Sequence, residues 1–121
     1  MLAHEMEAIR EEAPDSPQQR LVMHALGMVT EIMADDVPLA EQMRMAALTI
    51  WLAERRTRDP GYAWVAWRDI QRGSEQLRRQ LYRALRRGFV SYEQFDEAMN
   101  LLSRVGRQMA SEEPTPVWGQ C

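Results

Sequence analysis

The stretch PLAEQMRMAALTIWLAERR, residues 38–56, is apolar on two opposite sides, and that excess restricts the folds open to the chain. With 100° of rotation per helical residue, Leu39, Met43, Ala46, Ala47 and Ile50 share one face, as an ordinary core-facing helix requires. Met45, Leu48 and Leu52 fall roughly opposite, with Trp51 at the margin of that second face. Such a helix must be covered on both sides. Either the other helices of one small domain wrap it completely, or one side is kept for a second protein chain. Met45, Leu48, Trp51 and Leu52 are therefore the candidate protein-interface residues.

The chain of 121 residues has the length of one domain, and folding at this size buries roughly two-thirds of the surface of the unfolded chain. Hydrophobic residues at 45% and charged residues at 27% exclude wholesale disorder. The longest nearly apolar run, Met45 to Ala53, is about half of a bilayer span, so no membrane helix is expected. The opening residues MLAHEMEAIREE are acidic where a secretion signal is basic, and the single Cys, Cys121, cannot close an internal disulfide. Both features lead to the expectation of a cytoplasmic protein.

Charge is segregated along the chain. Residues 1–53 hold 3 Arg against 9 acids, residues 54–90 hold 10 Arg against 4, and residues 91–121 hold 2 Arg against 5. A basic middle between acidic ends can bind an acidic partner or be neutralised by its own termini.

Periodicity and capping signals predict an all-α fold: a compact bundle of about five helices over residues 16–110, a short N-terminal helical arm over 1–15, and an extended tail over 111–121. Leu2, Met6 and Ile9 give the arm its apolar spacing, and Pro14 and Pro17 end it. Ser16, Pro17 and Gln19 read as N-cap, first-turn proline and capping-box partner of a helix reaching about Ala34, whose apolar residues cover an arc of about 160°. His24 is expected on its solvent side with Arg20 and Glu31. Asp35 and Asp36 stop that helix and cap the next, making an antiparallel hairpin.

After the turn Asp59-Pro60-Gly61, residues 62–72 suit either strand or helix, and helix is preferred with Asp59 as its cap. Trp64 and Trp67, with Trp51, form either a core cluster or an interface anchor. Gly73 is expected to end that segment and Ser74 to cap a separate helix over 75–87, buried through Leu77, Leu81, Ala84 and Leu85. Arg72, Arg79, Arg83 and Arg86 mark its basic side, with Arg78 and Arg87 nearby. Two helices around a Gly-containing turn outline a helix-turn-helix, so this side is the candidate contact for nucleic acid or an acidic partner, an ordinary solvated face being the alternative. Gly88 then terminates the helix, Ser91 and Gln94 form a capping box, and residues 92–109 carry Phe95, Ala98, Met99, Leu102, Val105 and Met109 at helical spacing. That last helix closes the bundle or pairs with its symmetry mate, and a homodimer is expected.

No catalytic template is complete. His4 and Glu5 begin a zinc-protease motif, but Ala8 stands where the second His belongs. Residues GFVSYEQFDEAM resemble the exit of an EF-hand without its alternating ligands. Phosphate loops, dinucleotide glycines and Cys clusters are absent, and adjacent acids such as Asp35 and Asp36 diverge on a helix. A non-enzymatic protein without metal or cofactor is expected, one that regulates by occupying another protein's surface. Its Met-rich helices either adapt to a partner's relief or fill an irregular core.

In size, helical content and the apolar face of residues 38–56, the chain resembles the QslA-like small helical anti-activators of bacterial quorum sensing. That resemblance implies binding to a LuxR-type transcription factor and a block on its dimerisation. Met45, Leu48, Trp51 and Leu52 would then be buried against the regulator.

Overall fold

The computed structural model describes residues 16–113 as four helices: α1 (Pro17–Ile32), α2 (Val37–Arg56), α3 (Ala63–Arg86) and α4 (Tyr92–Ser111). The fold is all-α, with no strand among the described residues. The expected arm over 1–15, and the tail beyond residue 113, lie outside them. None of these helices is long and apolar enough to cross a membrane.

Each helix packs against its neighbours in sequence, and α4 returns to α1, closing a four-membered ring. Contacts between helix ends fix the directions. At one end Ser16 reaches Glu54, Gln18 reaches Met109, and the Trp67 indole N–H donates to the Met109 carbonyl at 2.8 Å. At the other end Gln94 donates to Glu31 at 2.8 Å, and Arg87 bridges to Asp36. Consecutive helices are therefore antiparallel, and their inward faces supply one continuous core, including Leu21, Leu26, Ile32, Met43, Ile50, Ile70, Leu77, Leu81 and Leu102.

Local chemistry sets most helix ends. Ser16 accepts from the Gln19 amide and Asp36 from the Leu39 amide, each satisfying a first-turn donor that the helix cannot. The Ser91–Gln94 box is reciprocal: each side chain accepts from the other's backbone N–H. At the end of α3 the Phe89 amide donates to Ala84 O and the Gly88 amide to Leu85 O, a Schellman closure that requires the φ of +75° found at Gly88. Asp59 departs from the expectation. Its carboxylate accepts from the Gly61 amide at 3.0 Å inside the turn, and α3 starts after Tyr62 with no side-chain cap.

The larger correction is in α3. The expected break at Gly73 and Ser74 is absent, and residues 63–86 form one helix, so four helices replace the expected five in this part of the chain. A Cβ built on Gly73 would lie 2.8 Å from Ile50 Cγ1 and 3.2 Å from the Ala46 carbonyl oxygen. Glycine is thus required by the approach of α2, and its helix-propensity cost of about 1 kcal/mol is offset by packing. Without a turn at this point the helix-turn-helix outline falls as well.

Two glycine substitutions separate these effects. Gly73→Ala should lower stability by a net ~1 kcal/mol, because overpacking outweighs the propensity gain. Gly106→Ala, where an added Cβ meets nothing within 4 Å, should raise it by about 0.5–1 kcal/mol. Urea denaturation of both checks the contrast, and a stabilising Gly73→Ala would contradict it.

Candidate interaction surface and polar end of the bundle

The ring covers only one side of α2. Ile50, Met43 and Ala47 are fully buried, whereas Met45 is 58% and Leu52 47% exposed, with Leu48 half-buried between them. These three make an apolar stripe along the outside of α2. Trp51 is placed differently: it packs against the core, and the Arg55 guanidinium lies 5.4 Å from its ring centroid. Its indole N–H is buried without a hydrogen-bond partner. Trp67 also packs on the core, while Trp64 lies under Arg68 at 4.9 Å.

The predicted basic residues are brought together. Arg72, Arg79, Arg83 and Arg86 are all exposed on the outer side of one uninterrupted helix. Arg72 has a loose pair with Asp69 at 3.9 Å, which is worth little in solvent. Arg79, Arg83 and Arg86 have no ion pair or hydrogen bond among the described residues.

One end of the bundle holds polar groups that the sequence reading passed over. Gln18 and Gln19 are buried, and their side-chain carbonyls have no hydrogen-bond partner. Glu54 Oε1 accepts from the Ser16 hydroxyl at 2.8 Å, while Oε2 is buried and unpaired. Open clefts of about 410 Å³ and 300 Å³ flank it, the first walled by Gln19, Trp51, Arg55 and Arg58, the second by Gln18, Trp67, Gln108 and Glu112. A signal was present, since Glu54 is four residues beyond Ile50 and so on the core face of α2.

His24 is less exposed than expected. Its side chain is 20% exposed because α4 lies beside it, with Nε2 3.0 Å from the Gln94 carbonyl and Nδ1 3.9 Å from Glu97. The described residues place no nucleophile in hydrogen-bonding contact with this ring, and they contain no group of three or more His, Cys, Asp or Glu that could hold a metal. No protein-family model matches the chain, and no curated protein or solved structure matches it either.

Burial raises the Glu54 carboxyl above the usual 4.5, and nearby Glu112 adds to this, while the Ser16 hydrogen bond and the charge of Arg58 oppose it. A folded value above the unfolded one means that the native state holds the proton more tightly. Stability from the protonated form is full below about 4.5 and is lost as pH rises through the folded value. Glu54→Gln, which mimics the protonated form, should melt a few degrees above the parent at pH 7. Near pH 4 the gap should narrow. A gap equal at both pH values in thermal melts would remove buried ionisation as the cause.

Proposed function

We propose that this is a non-enzymatic regulatory protein that binds another protein through the apolar stripe on α2. The observation that carries this reading is that Met45 and Leu52 stay about half exposed on the same helix whose opposite face is closed. Fully burying a Met or Leu side chain stabilises an assembly by about 1.5–3 kcal/mol, so a stripe of three is a substantial driving force for docking. A standard interface takes about 800 Å² and 20–30 residues from each partner, and α3, packed beside α2, is available to supply the remainder.

With the resemblance to the QslA-like anti-activators, the mechanism is competition. The stripe occupies the surface a transcription factor needs for its own dimer, and regulator dimerisation is blocked. Trp51, partly buried against the core beside Arg55, lies at the margin of the stripe and supplies the edge of the contact. A second copy of this chain is the competing occupant, and the resulting homodimer would use the same three side chains.

A second reading is supported by the unpaired Arg79, Arg83 and Arg86: contact with nucleic acid along α3. The two readings differ in salt response. Phosphate contacts release counterions and weaken steeply between low and moderate salt, whereas apolar docking tolerates it.

Leu52→Asp and Met45→Asp should each weaken partner capture at least about tenfold, one such factor corresponding to 1.4 kcal/mol, while leaving the helical circular dichroism spectrum unchanged. Quantitative mass spectrometry of captures from the native cell, made with wild type and with each variant at moderate salt, measures this. A protein retained equally by all three is not held by the stripe.

A further inference from the structure

In the sequence the apolar stripe and the basic residues are alternative sites on separate elements. The folded chain puts them on two helices that pack against each other. Gly73 of α3 sits against Ala46 and Ile50 of α2, which sets the register between the two antiparallel helices. In that register Gln42 of α2 meets Gln76, Arg79, Gln80 and Arg83 of α3 in one shallow groove of about 170 Å³. Met45, Thr49 and Leu52 continue along the same flank of α2 at steps of three and four.

We infer that the stripe and the Arg face form one composite surface along the α2–α3 groove, and that it takes an acidic amphipathic helix of a partner protein. The inference rests on the stripe being a protein-binding face. Apolar residues of the partner at i, i+3 or i+4, and i+7 lie over Met45, Leu48 and Leu52. Its carboxylates lie on one flank and meet Arg72, Arg79 and Arg83, whose planar guanidinium groups suit bidentate pairing with carboxylates.

Charge decides between occupants. A second copy offers the surface mostly guanidinium: Arg44 and Arg55 on the far side of the stripe, and Arg72, Arg79 and Arg83 on the near side. Its carboxylates there are fewer than its guanidinium groups: Glu41 lies 3.6 Å from Arg44 and Asp69 3.9 Å from Arg72. Duplex DNA would satisfy the guanidinium groups but would leave Met45 and Leu52 uncovered. A helix with apolar and carboxylate flanks satisfies both parts of the surface. The ionic flank governs association rate and discrimination, and the stripe governs residence.

The test uses the full chain and two dye-labelled synthetic helices with the same Leu ladder, one with Glu and the other with Lys along one flank. Fluorescence anisotropy should show the Glu helix binding at least about tenfold more tightly than the Lys helix. Arg79→Glu with Arg83→Glu should invert that order, and Leu52→Asp should abolish binding of both, with unchanged circular dichroism showing that the variants are folded. Equal binding of the two helices, untouched by the Arg variant but lost in Leu52→Asp, would overturn the acidic partner and leave the stripe standing. Failure of both helices to bind, or binding that ignores Leu52→Asp, would overturn the stripe reading together with this one. Displacement of the Glu helix by duplex DNA, or light scattering showing a dimer that Leu52→Asp dissolves, would assign the surface to nucleic acid or to a second copy and overturn the inference.

Discussion

The contact on which the rest of the arrangement depends is the approach of α3 to α2 at Gly73, where an added Cβ would stand 2.8 Å from Ile50 Cγ1. Interiors packed to crystal-like density leave no space for a methyl group at such a point, so a glycine there fixes how near two helices lie and how they are aligned. Two features of α3 go with it: the helix runs unbroken for 24 residues, and its Arg side chains share one outer face.

Much of the architecture was legible in the sequence because periodicity and capping are local. The inward faces of α1, α2 and α4 follow from apolar spacing, the caps at Ser16, Asp36 and Ser91 from residue type, and the stop at Gly88 from the left-handed conformation it adopts. The continuity of α3 was not legible. Gly followed by Ser is a strong stop-and-cap signal, and what overrides it is the Ala46 carbonyl and the Ile50 side chain on another helix. His24 was misplaced for the same kind of reason, since a helical wheel shows a residue's own face but not the Gln94 carbonyl of α4 that covers it. Of the candidate interface, Met45, Leu48 and Leu52 are at the surface, whereas Trp51 turns toward the core from the edge of the arc, a distinction of a few tens of degrees that periodicity does not resolve.

The two ends and the outer flank of the bundle use polar groups differently. At the far end, Arg87 with Asp36 and Gln94 with Glu31 tie the helices together. At the near end, Gln18, Gln19 and Glu54 are buried with acceptors left unpaired, an arrangement that subtracts from stability. Along the flank, Arg79 and Arg83 are exposed and have no ion pair or hydrogen bond among the described residues. Pairs between exposed side chains contribute at most about 1 kcal/mol to folding, so leaving these guanidinium groups without one costs the fold little.

The ring of contacts also sets an order of assembly. Three of its four interfaces join helices adjacent in sequence and linked by short connections, and their closure entropy is small. The fourth, between α1 and α4, spans nearly the whole described chain and is fastened by the contacts of Gln94 with His24 and Glu31 and of Gln18 with Met109. The α1–α2 and α2–α3 pairings are therefore local, and the α2–α3 groove does not depend on α4 for its closure. The seam closed last is on the opposite side of the molecule from that groove, so fraying there leaves the α2–α3 surface intact.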